Sequence, residues 1–288
     1  MSTNILRAIK NISDFGKNDL KDYSSTYLIR INAAGEALEF YVKDAFCNSF
    51  TQPKQEKEEL HRTSFSWLGN QNFPPDLIIR SGDAFEIKKI ESIRPSTIAL
   101  NSSHPKDKLY HDELRITDAC KKCDGGKWEN KDLFYVVGCT QNGRIRYLFF
   151  IQGTCYAAER NVYERIEKRI KQGVEDCIRL NGIEGGSETV ELGRINRVDP
   201  LGITNLRIRG MWMIENPIRV FEYIYHYNPN QDFSLIALMK KEKFESYPQE
   251  DRAAINQNCS YIKSKQVKLK DPNNPAELVD AQLITVGW

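Results

Sequence analysis

No stretch of this 288-residue chain approaches the ~20 consecutive apolar residues that a membrane-crossing helix needs. The N-terminus, MSTNILRAIKNISDFGKNDLK, lacks the unbroken apolar core of a secretory signal. HDEL does occur at 111–114, but that signal is read only at a free C-terminus and this sequence ends in TVGW. An unexported cytoplasmic protein with no membrane partner is therefore expected. An excess of one charge is missing too: 41 Lys plus Arg stand against 39 Asp plus Glu. A polyanion partner must then be met by a local patch. Internal repeats and low-complexity tracts are also absent, which excludes repeat architectures.

Cysteine falls short of what staples or zinc would require. The seven, at 47, 120, 123, 139, 155, 177 and 259, are odd in number, and the chain is too long to depend on disulfides, so reduced thiols are expected. Only Cys120 and Cys123 form a CxxC pair; a structural zinc site needs two further ligands at recognisable spacing. Cys139 and Cys155 sit in strand-like runs, where a buried thiol is sufficient explanation.

What is present is material for a core, since 40% of residues are hydrophobic, enough for one large domain or two ordinary ones. Within AAGEALEFYVKDAF, residues 33–46, Ala37, Leu38, Tyr41, Val42, Ala45 and Phe46 recur at helical spacing and predict an amphipathic helix. TQPKQEKEELHRTS, which follows after a few residues, reads as a loop or a solvated helix. LFYVVGCTQ and IRYLFFIQGTCYAA are two β-rich runs around Asn142-Gly143, a hairpin signal. From 158 to 180, Val162, Ile166, Ile170, Val174, Cys177 and Ile178 form one stripe, predicting a helix packed on the sheet. The glycine-rich NGIEGGSETVELG, 181–193, reads as a hinge, and QDFSLIALMK as one more strand or buried helix. The last 40 or so residues are polar. This order of elements predicts an α/β fold with a mixed central sheet flanked by helices.

The chemistry concentrates in NFPPDLIIRSGDAFEIKKIES, residues 72–92. Leu77–Ile79 and Ala84–Ile90 read as two strands of a hairpin turning at Ser81-Gly82-Asp83. Strand alternation puts Glu86 and Lys88 on one face and Phe85 and Ile87 toward the core. Folding back at Gly82 brings Asp76 to the level of residues 86–88, within a residue or two of register. Two carboxylates without an arginine of their own suit a hard divalent cation, with water and phosphate oxygens completing its shell. Lys88 could orient a water, help remove its proton or stabilise a charged transition state. The same letters also suit a plain solvated hairpin with an alternating Glu/Lys face.

Pro75-Asp76 with Glu86-Ile87-Lys88 resembles the PD-(D/E)xK nuclease signature. Three further features join it. Glu39 lies on the preceding helix, where many such nucleases carry a metal-facing glutamate, although an exposed helix carboxylate would look alike. Asn101, Ser102, Ser103, His104 and Lys106 crowd the loop after the second strand and supply donors and acceptors of the kind that contact phosphates and base edges. Arg194, Asn196, Arg197, Asn205, Arg207 and Arg209 lie in ELGRINRVDPLGITNLRIRGMWMIENP, 191–217, with Asp199 the acid among the arginines; arginine suits guanine and asparagine adenine. Arg207 and Arg209 would share a strand face.

Together, GEALEFYVKDAF, FSWLGNQNFPPD, EIKKIES, ALNSSHPK, YERIEKRIKQGV and ELGRINRVDPLGITNLRIRGMW resemble the NgoPII-like family of type II restriction endonucleases over roughly residues 30–227. The resemblance implies a PD-(D/E)xK core over 1–180 with an N-terminal helical segment. A DNA-recognition and C-terminal region, 181–288, would pack on it as one compact unit, the role of its last 60 residues left open. It implies cleavage of double-stranded DNA at a short palindrome, GGCC by family association, leaving 5′-phosphate and 3′-hydroxyl ends. Mg2+ would be the cofactor, Asp76 and Glu86 its ligands, Lys88 the group serving the attacking water and Glu39 an auxiliary. A palindrome further implies a homodimer. A repair or junction-resolving nuclease of the same superfamily, or a DNA-binding protein that no longer cuts, are the alternatives.

Overall fold

The computed structural model describes residues 3–21, 23, 33–70, 73–93, 97–101, 103–180, 191–196, 198–201, 203–256 and 261–288. Its centre is a mixed sheet with strand order β1-β2-β3-β6-β7-β11-β13-β12. The strands are β1 (Phe65–Asn70), β2 (Phe73–Ile79), β3 (Ala84–Ile90), β6 (Asn130–Gln141), β7 (Arg144–Gln152), β11 (Ser234–Lys240), β12 (Ile262–Lys270) and β13 (Leu278–Gly287). Two smaller ladders, β4 (Thr97–Asn101) with β10 (Trp212–Glu215) and β8 (Gly193–Ile195) with β9 (Leu206–Ile208), stand apart from it, and β5 (Lys108–Tyr110) pairs with β6. The expected α/β class with a mixed sheet flanked by helices is what the chain adopts.

Alternation along the strands divides the core in two. Phe85, Ile87, Val136, Leu148, Phe150 and Ala237 face α1 (Ile5–Phe15) and α2 (Ala33–Cys47), whose Ile9, Leu38, Tyr41 and Ala45 are fully buried. Tyr135, Val137, Tyr147, Phe149, Ile236 and Leu238 face the other way, under the loop that follows β4 and the short helix α7 (Pro217–Val220). β6 and β7 are joined as their sequence predicts: Asn142 and Gly143 both take positive φ, 52° and 74°, the conformation that a two-residue hairpin turn requires.

TQPKQEKEELHRTS contains a helix, α3 (Lys54–Ser64), one of the two forms expected of it. Its inner side closes on Asp44, whose carboxylate accepts from Tyr23 Oη (2.8 Å), Ser49 Oγ (2.7 Å) and Lys57 and meets His61 Nε2 (3.0 Å). Burial works to raise this carboxyl; His61, Lys57 and Ser49 outweigh it and hold the group below its usual range.

Two local expectations are corrected. IRYLFFIQGTCYAA is not strand throughout: the chain leaves β7 at Gln152 and forms a helical turn, α5 (Gly153–Tyr156), so Cys155 is buried in a helix. The helix after it, α6 (Arg160–Leu180), does not lay its apolar stripe on the sheet. Val162, Ile166 and Ile170 are 37%, 42% and 47% exposed. The polar C-terminus, in turn, holds two long strands. β13 buries Ala281, Leu283, Ile284 and Val286 between β11 and β12, while β12 exposes Lys263, Lys265, Lys268 and Lys270 at the sheet edge, where lysine discourages pairing with another chain.

That C-terminal segment also holds the β2–β3 hairpin. Lys243, on α8 (Lys241–Ser246), reaches Asp83 in the β2–β3 turn at 2.5 Å and Asp132 on β6 at 2.7 Å; Tyr247 Oη donates to Asp83 at 2.7 Å. Lys243 and Asp83 are almost fully buried and Asp132 keeps 26% of its side chain exposed, so the buried charges depend on one another for compensation.

Candidate active site

β2 and β3 pair antiparallel with Leu77 opposite Phe85 and Ile78 opposite Ala84. Continuing that register sets Asp76 against Glu86. Leu77, Ile79, Phe85 and Ile87 enter one half of the core and Ile78 and Ala84 the other. Alternation therefore leaves Asp76, Glu86 and Lys88 on a common face. The hairpin is closed at this level by the Ile87 N–H, which donates to Asp76 Oδ2 at 2.5 Å, and Lys88 Nζ donates to Glu86 Oε1 at 2.6 Å.

The chain before Asp76 is held by two contacts that the sequence did not advertise. Trp67 Nε1 donates to the Pro75 carbonyl at 2.9 Å. Gly69 passes so close to the Pro75 and Phe73 carbonyls that a β-carbon there would collide with backbone; any larger residue must push the Pro-Asp segment aside. A Gly between two aromatic-rich runs was the available signal.

Electrostatics mark the cluster as incomplete on its own. Burial, then the neighbouring Glu86, hold the Asp76 carboxyl well above the usual carboxylate range, against the pull of Lys88 and the Ile87 N–H. Burial works to lower the Lys88 ammonium, but Glu86 and Asp76 more than offset it, so its pKa is raised. Glu39 sits within electrostatic reach of all three, yet its ion pair is with Lys43, one turn along α2, at 3.6 Å. Burial raises it too.

A divalent cation fits this donor set. Among the described residues no three His, Cys, Asp or Glu side chains converge as a self-sufficient cage. Magnesium does not need one: it is commonly held by one or two carboxylates plus waters and phosphate oxygens. Asp76 and Glu86 are two buried hard oxygen donors whose repulsion a dication would relieve. The CxxC thiols, by contrast, lie at the end of α4 (Asp118–Lys121) and just after it, free and buried, with Cys123 lowered to about 7 first by its hydrogen bond with Cys120.

The pocket beside the cluster is lined by Glu86, Lys88, Ser103, His104, Lys106 and Tyr135, among others. Three of the loop residues named from sequence thus line one pocket with Glu86 and Lys88 of β3. They are not loose: His104 and Lys106 are 7% and 6% exposed. Lys106 Nζ binds Glu113 at 2.5 Å. His104 Nδ1 donates to the Pro105 carbonyl at 2.8 Å, and its ring stacks on Tyr163 with Trp212 edge-on. Asn101 pairs through its backbone opposite Trp212, and Ser102 lies outside the described residues. Tyr135 was missed in the sequence. It lies beside Glu86 in the parallel β3–β6 register, and its hydroxyl accepts the Lys106 N–H at 2.8 Å. Its one polar atom inside an aliphatic strand run was the clue. Gly153 lets the loop descend, since a β-carbon there would strike the Lys106 and Asp107 carbonyls.

The arginine segment is a separate, exposed ladder. Arg194 lies opposite Arg207 across β8 and β9. Arg207 and Arg209 both reach Glu191, at 2.5 and 2.6 Å, which agrees with their sharing a face. That shared acid is Glu191 and not Asp199, which instead accepts the backbone N–H of Thr204 and Ile203. Arg207 and then Arg209 hold Glu191 down to about 2. Arg194 Nε donates to Asn196 Oδ1 at 3.0 Å, Asn205 is exposed, and Arg197 lies outside the described residues.

Known proteins agree with the family that the site suggests. A sequence model described as NgoPII restriction endonuclease matches residues 3–273. The type II restriction enzyme NgoPII of Neisseria gonorrhoeae is 44% identical over 283 residues, covering 98% of this chain and 99% of that protein. No solved structure matches. With the family model spanning nearly all of the chain that carries Asp76, Glu86, Lys88 and the arginine ladder, this protein belongs to the NgoPII restriction endonuclease family.

Proposed function

We propose that this type II restriction enzyme is magnesium-dependent and cuts double-stranded DNA at a short palindrome, GGCC by family association. The observation that carries the reading is the set Asp76, Glu86 and Lys88 on one face of the β2–β3 hairpin, beside a pocket that Ser103, His104 and Lys106 also line. Asp76 and Glu86 would hold Mg2+, which supplies charge neutralisation at the phosphate and a lowered pKa for a bound water. Lys88 donates toward the scissile phosphate or the attacking water, and Glu39 adds negative charge from behind. Water adds in line to phosphorus as the bond to the 3′ oxygen breaks. The water's proton leaves to solvent and the 3′ oxygen gains one, giving a 5′-phosphate and a 3′-hydroxyl.

Arg194, Arg197, Arg207 and Arg209, with Asn196 and Asn205, would read bases or grip phosphates, together with Asn101 and Ser102 near the cut. Two symmetry-related scissile bonds in a palindrome fit a homodimer. The test is to incubate the protein with plasmids of varied sequence, with and without magnesium, and sequence the ends. Cuts confined to one palindrome, dependent on magnesium and ligatable, are expected. An absence of discrete fragments across all DNAs would sink the reading.

A further inference from the structure

Helix α6 carries its apolar stripe beside, and not within, the side that packs on the rest of the protein. Val162, Ile166 and Ile170 are substantially exposed, as is Cys177. The inner side is made by other residues. Tyr163 packs on His104 and Trp212, Glu167 pairs with Arg115 at 3.4 Å, Val174 abuts Gly193, and Ile178 is buried. Helical periodicity puts Val162, Ile166, Ile170, Gly173 and Cys177 in one outward strip. Gly173 is the telling member. A β-carbon there would meet nothing within 4 Å, so no packing inside the chain requires a glycine that costs ~1 kcal/mol relative to alanine in mid-helix.

The strip is complementary to a reversed copy of itself. Setting Ile166 opposite Cys177 of a second α6 sets Ile170 opposite Gly173, large against small, and again by the two-fold. An antiparallel two-fold relates each flank of the helix to itself. The solvent-side flank is Arg165, Arg169, Gln172 and Asp176. Offset by two residues from that pairing, about 3 Å along the axis and within reach of a long side chain, Arg165 approaches Asp176 of the other copy, and Arg169 approaches Gln172. Asp176 is engaged only at the surface, by Gln172 and by Arg179 at 3.0 Å, contacts of little energetic weight.

We propose that α6 is the two-fold interface of the homodimer, packed antiparallel across Ile166, Ile170, Gly173 and Cys177. The inference deepens the reading of a palindrome-cutting dimer and rests on it for the presence of a two-fold. Because the inner side of α6 touches His104 and the β8 strand, the same helix would fix the spacing between the two catalytic pockets and the two arginine ladders.

The experiment is sedimentation of the full chain without DNA or metal. The native protein is expected to dimerise. Ile170→Glu, at an exposed site where folding is unaffected, is expected to weaken the dimer by ~30-fold or more, the scale of an interface hot spot. Arg165→Asp and Asp176→Arg should each weaken it, and the double variant should restore it. Oxidised Ile166→Cys protein should form a covalent dimer that Cys177→Ser removes. A monomer at all concentrations, or a dimer indifferent to Ile170→Glu with no such cross-link, would overturn the proposal. Magnesium-dependent cutting at a palindrome would in that case still stand, since it is read in a separate assay.

Discussion

The β2–β3 hairpin and the arginine ladder are both short pairs of antiparallel strands, and the chain holds them in opposite ways. β3 lies inside the central sheet between β2 and β6, with Phe85 fully buried and Ile87 nearly so. Lys243 and Tyr247 clamp its turn from the C-terminal segment. β8 and β9 are three-residue strands apart from that sheet, and Arg207 and Arg209 keep 55% of their side chains exposed. Bond cleavage needs donors fixed to a fraction of an ångström. Reading a groove needs cations that can leave a resident acid, here Glu191, for a base or phosphate.

If the division is correct, changes in the first region abolish chemistry and changes in the second redistribute affinity. The largest effect belongs to Lys88→Met. Single-turnover cleavage should fall by ~10²–10⁴-fold while duplex binding persists, and a loss below tenfold would remove Lys88 from the chemistry. Next comes the clamp. Lys243→Met leaves Asp83 and Asp132 buried without their cation, at a cost of ~3–5 kcal/mol. Denaturant unfolding measures it, and an unchanged midpoint would mean the C-terminal segment does not secure the hairpin.

Arg207→Ala should cost ~1–3 kcal/mol of discrimination between cognate and altered sites. Competition binding checks this, and equal loss on random DNA would make Arg207 a phosphate contact instead. The smallest effect is on acid stability and lies outside both regions. The Asp44 carboxyl is lowered in the fold, so its contribution is present above its unfolded value of about 4 and is lost as pH falls through the lower folded value. Unfolding midpoints from neutral to acid pH should decline less steeply in Asp44→Asn; parallel curves would assign acid lability to other groups.

The hairpin was legible because a two-residue period specifies faces, and a turn at Gly82 leaves little freedom of register. The helix at 33–47 and the Asn-Gly turn were legible for the same reason, being local patterns. What failed was whatever depends on distant partners. Periodicity identified the apolar side of α6 but not what covers it. β12 reads as polar because an edge strand carries lysines, and its β13 neighbour supplies the burial. Glu191 displaced Asp199 as the partner of the arginines because strand pairing, not proximity in sequence, brings them together. Tyr135 needed the parallel β3–β6 register before it could be set beside Glu86.

Asp76→Ala tests the account most directly, with binding and cutting of one duplex bearing the cognate palindrome followed in the same sample with magnesium. The account predicts a protein that folds, binds and leaves both strands intact, because the carboxylate it lost serves chemistry and not recognition. Cleavage at the native rate would contradict it.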